Sequence, residues 1–229
     1  MSSWRTAYRS FYYEDLPDLP PVVLPARETA LLVIDLQCCY LPEEEPVEPT
    51  ARREWHRWAP FRRRMRETVL PNTRRLLSAF RAAGSDVLFA RIACLTREGR
   101  DRSLSQARPG FNNLLLPKDA AASQILPDVA PLADEIVLTK TTDSALTGTS
   151  LRLLLHNLGI RHVVVCGIFT DQCVASTVRS LADESYDVVV VDDACAAGTD
   201  ALHQAELTIL NNIYCQVLSC EETLAALHP

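Results

Sequence analysis

The sequence predicts a single-domain α/β fold: a three-layer α/β/α sandwich built on a doubly wound, mostly parallel sheet of about six strands. Three observations predict it. Short apolar runs rich in β-branched residues alternate with segments of helical periodicity, the pattern of consecutive βαβ units. Those runs lack the polar alternation of a half-solvated sheet, so both of their faces are covered, as in parallel sheets. The chain has 229 residues of which 48% are hydrophobic, enough for one substantial core, whereas two domains would each be small.

Residues 1–28 read as an N-terminal arm that carries Trp4, Tyr8, Phe11, Tyr12 and Tyr13 and ends among prolines. It either packs over the domain, 29–229, or reaches a neighbouring subunit. The first strand, Ala30 to Gln37, is apolar until Asp35 at its carboxyl end, where open parallel sheets bind ligands. A loop aspartate that merely caps the next segment is the alternative. The acidic, proline-bearing stretch from Leu41 to Pro49 reads as a solvated loop, or as a negative rim (Glu43, Glu44, Glu45) that would draw a cationic substrate. Arg52 to Arg66 reads as an arginine-rich helix with a solvated or subunit-facing surface.

Pro71 opens a helix that Ala83 and Gly84 close. Asp86 to Ile92 is the second strand. Residues 95–134 hold charges, Gly110 and several prolines. They form a long irregular excursion of the kind that lines or covers sites. A strand from Glu135 ends at Lys140, and a helix from Thr149 to Asn157 stops before Gly159.

The run Val163 to Cys166 is the central strand. It breaks at Gly167 and restarts as a helix that Thr170 or Asp171 can cap and that runs to about Ser185. Cys173 falls in the first turn, where free N–H groups and the helix dipole favour a thiolate. A buried, inert cysteine is the competing reading. A strand from Asp187 ends at Asp192, which with Asp193 serves the following loop. Asp200 caps a helix to about Asn212 whose apolar stripe is Leu202, Ala205, Ile209, Leu210 and Ile213. A strand, Tyr214 to Leu218, and a helix from Glu221 complete the chain.

Composition excludes several classes. A net charge of −6 argues against a general nucleic-acid binder. No apolar run is long enough to span a bilayer, and the N-terminus lacks the apolar core of a signal peptide, so a cytoplasmic protein without a membrane partner is expected. The eight cysteines form no CxxC pair and sit largely in strand-like runs, which favours free buried thiols. The five histidines are scattered, against a structural zinc site.

Right-handed crossovers place every strand's carboxyl end on one edge of such a sheet. Asp35, Lys140 and Cys173, each at or just beyond the end of a different strand, therefore converge. Around these residues the chain resembles the isochorismatase-like cysteine hydrolases, the superfamily of nicotinamidases and related amidases. The resemblance lies in Leu32-Val-Ile-Asp35-Leu-Gln37, in Lys140-Thr-Thr-Asp-Ser-Ala-Leu with Thr149 and Leu151, in Cys166-Gly-Ile-Phe-Thr-Asp-Gln-Cys173-Val with Thr177, and in Val190-Val-Asp-Asp-Ala-Cys-Ala-Ala197. It spans residues 29–220.

The resemblance implies a catalytic triad of Asp35, Lys140 and Cys173. It further implies an oxyanion hole from the backbone N–H groups of Phe169 and Cys173, shaped by a non-proline cis bond between Ile168 and Phe169. Gln37 would touch substrate or, as a buried amide, satisfy nearby backbone. The reaction implied is C–N hydrolysis of a small amide, carbamoyl, ureido or lactam substrate through a thioester. The alternatives are a vinyl-ether hydrolase using Asp35 as acid, a streptothricin-hydrolase-like lactam-opening enzyme, or a non-catalytic assembly subunit. Nicotinamidases carry a metal-binding aspartate and paired histidines after the first strand. Here only His56 occurs there, so neither metal nor cofactor is expected. Family members are commonly homo-oligomers, which implies a dimer or tetramer.

Overall fold

The computed structural model describes residues 7–109 and 114–228. Trp4 of the arm and Gly110 of the long excursion lie outside the described residues. Six strands form one sheet in the order β4-β3-β2-β5-β6-β7: β2 (Thr29–Ile34), β3 (Asp86–Ile92), β4 (Ile136–Lys140), β5 (His162–Ile168), β6 (Asp187–Ala196) and β7 (Gln216–Leu218). Every neighbouring pair is parallel. A separate parallel pair, β1 (Leu24–Pro25) with β8 (Leu227–His228), ties the end of the arm to the C-terminal segment.

The chain builds outward from β2 through β3 to β4, then returns to the other side of β2 and builds through β5 and β6 to β7. The direction reverses between β2 and β5, which opens a crevice beyond their carboxyl ends. Asp35 follows β2 and Cys173 lies beyond β5, so the reversal itself sets them side by side.

The helices are α1 (Pro49–Arg57), α2 (Ala59–Arg64), α3 (Leu70–Ala83), α4 (Leu104–Ala107), α5 (Leu151–Asn157), α6 (Ala175–Asp183), α7 (Asp200–Leu210) and α8 (Cys220–Ala226). Helix α3 packs on β2, β3, β6 and α8, while α6 and α7 pack on β6 and on each other. Every residue of β2 is buried, and Val163 to Cys166 have no exposed surface, as strands covered on both faces require.

Several local expectations are corrected. The arginine-rich stretch is not one helix. It breaks at Trp58, whose follower Ala59-Pro60 can only start a new helix because proline lacks an N–H. From α2 the chain passes through a π-helical turn, Met65–Val69, directly into α3. Helix α1 buries nothing, as a solvated surface should, but Phe61, Arg62 and Met65 are buried.

Helix α7 is capped by Thr199, not Asp200: the Leu202 N–H donates to Thr199 Oγ1 at 3.2 Å. Its buried residues are His203, Leu207 and Leu210, whereas Leu202, Ala205, Ile209 and Ile213 face outward. The physical reason is His203, which hydrogen-bonds inward and turns that side of the helix to the sheet. Strand β6 continues past Asp192 to Ala196, and Cys195 pairs with Gly167 after an irregularity in register. Asp192 and Asp193 are therefore strand residues and not part of a terminal loop.

Candidate active site

The site starts from backbone that few residues can adopt. Gly167 has φ 122°, and a Cβ there would stand 2.0 Å from the carbonyl oxygen of Ile34. Only glycine lets the ends of β2 and β5 approach this closely. One residue on, Asp35 sits at φ 52°, the left-handed region that a non-glycine residue occupies rarely. Its N–H donates to the Ala90 carbonyl at 2.8 Å and its carbonyl accepts from Gln37 N–H at 2.8 Å, which fixes the turn. Across the crevice the Ile168–Phe169 peptide is cis. A π-helical turn, Thr170–Val174, follows and carries Cys173 into α6. Single π turns inside helices recur at functional sites.

The three side chains meet. Lys140 Nζ lies 2.8 Å from Asp35 Oδ2 and 3.2 Å from Cys173 Sγ, and it donates to the Thr142 carbonyl at 3.2 Å. Asp35 is 1% exposed, Lys140 0% and Cys173 5%, so the cluster is closed off from bulk water. Neither oxygen of Asp35 accepts a well-aligned hydrogen bond, although the ion pair with Lys140 is close. That leaves the carboxylate with lone pairs able to take a proton.

Burial raises the pKa of Asp35 against the lowering pull of Lys140. Burial works against the charge on Lys140, but the anionic neighbours Asp35 and Cys173 outweigh it and hold the ammonium. The Cys173 thiol is pushed well above its ordinary value, first by burial and then by the Asp35 charge. Burial and the Asp35 charge thus oppose the thiolate that the helix N-terminus would favour.

Other expected residues fall differently. Gln37 is buried. Its amide nitrogen donates to the carbonyls of Ile92 and Ser123, each at 2.9 Å, and its oxygen accepts from the Ile92 N–H at 2.9 Å. It acts as a backbone clamp, with no polar atom left for substrate. Asp171 does not cap the helix; its Oδ1 is buried without a partner. Thr170 does not cap either, because its hydroxyl pairs with His203 Nδ1 at 2.7 Å. Glu45 is paired with Arg52 and His56, and none of Glu43, Glu44 and Glu45 borders either cavity beside the site.

Three features were not foreseen. Asp143, three residues past Lys140 on the same loop, brings Oδ1 to 3.8 Å from Cys173 Sγ. Its position in the quoted Lys140 segment was the available signal.

The second feature is a buried polar network behind the π turn. His203 Nε2 lies 2.6 Å from Asp192 Oδ1, Tyr8 donates its hydroxyl to Asp192 Oδ2 at 2.9 Å, and Arg64 reaches Asp192 and the Cys195 carbonyl. Through Tyr8 the arm packs on its own domain. No spacing rule links residues 8, 64, 170, 192 and 203.

The third is a pair of cavities that flank the thiol's turn, with Gln172 on the border of both. One, of about 620 Å³, is lined by Asp143, Asp171, Ser105 and Arg179. The other, of about 410 Å³, is walled by Tyr40, Trp55, Trp58, Phe61 and Phe169. The rings of Tyr40, Trp58 and Phe61 each lie between 5.2 and 5.7 Å from that of Phe169, in tilted or edge-on contact. Among the described residues no three His, Cys, Asp or Glu side chains gather as a metal site would need. No helix among them is long and apolar enough to cross a membrane.

A crevice at the strand ends of a parallel sheet that gathers an acid, an ammonium and a thiol is a site built for hydrolysis, and comparison with known proteins places it. The isochorismatase domain model matches residues 29–222. The ureidoacrylate amidohydrolase RutB of Serratia proteamaculans is 30% identical over 84% of this chain and 80% of its own length. The isochorismatase family protein YddQ of Bacillus subtilis is 27% identical over 86% of this chain and 98% of its own. In three dimensions the chain superposes on a cysteine hydrolase from Pseudomonas syringae pv. phaseolicola with a TM-score of 0.73, at 22% identity, covering 91% of this chain and 97% of that one. The chain belongs to the isochorismatase family, and it is a hydrolase.

Proposed function

We propose that the protein is a metal-independent cysteine amidohydrolase that cleaves a C–N bond in a small amide, carbamoyl, ureido or lactam substrate. The observation that carries this reading is the ammonium of Lys140 within 2.8 Å of Asp35 and 3.2 Å of Cys173 in one buried cluster. The similarity to RutB ureidoacrylate amidohydrolases supports the C–N choice.

The resting cluster holds a thiol, a carboxylate and an ammonium. As Sγ attacks the substrate carbonyl carbon, its proton passes to Asp35, which burial makes a better base than an ordinary carboxylate. Lys140 balances the negative charge that moves between the two acids. The N–H groups of Phe169 and Cys173 stabilise the oxyanion. Collapse of the intermediate breaks the C–N bond, and the Asp35 proton leaves with the amine. Asp35 then takes a proton from water as the water attacks the thioester. This regenerates the thiol and releases the acid.

Cys173→Ala should lower turnover by about four orders of magnitude while the circular dichroism spectrum stays unchanged, as for removal of a nucleophile. The test is a screen of amides, ureides and lactams for amine or ammonia release by both proteins. Full activity in the variant would sink the reading. The raised pKa of Asp35 also suits an acid that protonates a vinyl ether. That second reading requires turnover of isochorismate that survives Cys173→Ala and is lost in Asp35→Asn.

A further inference from the structure

Arg62 presents a problem that the mechanism leaves unsolved. It borders the aromatic cavity and is 7% exposed, yet it has no carboxylate or carbonyl partner among the described residues. Its guanidinium stacks 3.6 Å above the ring of Trp55, a contact that supports a cation from below and leaves its N–H fork unfilled. The nearby carboxylates are committed elsewhere. Glu54, which also lines this cavity, reaches Arg57 at 3.4 Å, and Glu45 is held by Arg52 and His56. Burial and the neighbouring Arg66 work against the charge on Arg62, while Glu45 favours it from a distance without a hydrogen bond. The fork of this stacked guanidinium is therefore open to a carboxylate that enters the cavity.

We infer that this cavity is the recognition subsite for a substrate with an apolar or aromatic body that ends in a carboxylate. The walls suit a flat or extended apolar group, since Tyr40, Trp58, Phe61 and Phe169 present ring faces and edges. About 410 Å³ admits a body of one ring and a short chain. Arg62, on the border of this cavity, offers a fork of two parallel donors, the geometry a carboxylate accepts. Phe169 and Gln172 connect this wall to the turn that carries Cys173, so the anchored end and the scissile amide belong to one molecule. This assignment rests on the hydrolase reading for the chemistry, but the binding preference itself does not require turnover.

The test is calorimetric titration of the full chain with hydrocinnamate and with the neutral hydrocinnamyl alcohol, which share a body and differ in the end group. The wild-type protein should bind the carboxylate about tenfold or more tightly than the alcohol, and Arg62→Gln should bring the two affinities together. Equal affinities in the wild-type protein, or a preference that persists in folded Arg62→Gln, would overturn the inference. The wild-type comparison needs no variant. Should Arg62→Gln fail to fold, Arg62→Lys, which keeps the charge and loses the fork, should narrow the preference, and an undiminished one counts against it. Running the titration on Cys173→Ala separates the two readings. A carboxylate preference there, with turnover retained, removes the cysteine mechanism and keeps the subsite. No preference, with turnover abolished, does the reverse.

Discussion

Two buried aspartates, Asp35 just beyond the end of β2 and Asp192 within β6, belong to the same sheet and have opposite fates. They are 1% and 4% exposed. Asp192 is surrounded by donors: Tyr8, Arg64 and His203 all reach it, and they hold its pKa below the usual carboxylate range despite burial. Asp35 has its close ion-pair partner in Lys140, and burial carries its pKa upward against the lowering pull of Lys140, Cys173 and the Ile92 N–H. Desolvation alone therefore does not decide what a buried carboxylate does. The balance between burial and the charges and donors turned toward it does. One aspartate is fixed as an anion and serves structure; the other remains able to exchange a proton, which is the property a base needs.

Exchanging their amides breaks the comparison in different currencies. Asp35→Asn should lower turnover by about 10³-fold in steady-state kinetics, since an amide cannot accept the thiol proton. The same variant should make Cys173 alkylate faster at neutral pH, because the charge that helps hold the thiol up is gone. An inactive enzyme with a more reactive cysteine is the expected pairing.

Asp192→Asn should leave the thiol's titration alone and cost about 3 kcal/mol in urea unfolding at neutral pH, because Arg64 and His203 lose a buried counter-charge. The sign with pH follows from the lowered pKa. The Asp192 contribution is present above the ordinary carboxylate range and is lost as pH falls through its folded value, so the two stability curves should meet in acid. Asp35 works the other way. Its contribution is full below the ordinary range and lost as pH rises through its raised value. The smallest effect belongs to Tyr8→Phe, which removes one hydrogen bond from Asp192 and should cost about 1 kcal/mol in the same assay.

The same contrast separates what could be read from the chain. The parallel sheet was legible because buried strands such as Val163 to Cys166 announce themselves by composition. Asp35, Lys140 and Cys173 were legible because topology collects strand ends. Helix α7 was misread because two stripes compete on it. Leu202 and Ile209 look like a core face until His203 is known to hydrogen-bond inward to Asp192 and Thr170. Asp171 was misread because a π turn replaces the ordinary first turn that a cap would serve. The aromatic cavity was not legible at all. Trp55, Trp58 and Phe61 stand at helical spacing, but the break at Trp58 and the distant Phe169 give them a shared wall only in three dimensions.

The account turns on where the thiol proton rests before attack. Peptide-mapped alkylation of wild-type Cys173 by iodoacetamide across a pH series reads this directly. A reactivity midpoint above the ordinary thiol value of 9.0, moving down in Asp35→Asn, is the predicted result. A plateau already reached below about pH 7 in the wild-type protein, unmoved by Asp35→Asn, would show a thiolate formed at rest without the carboxylate and would contradict it.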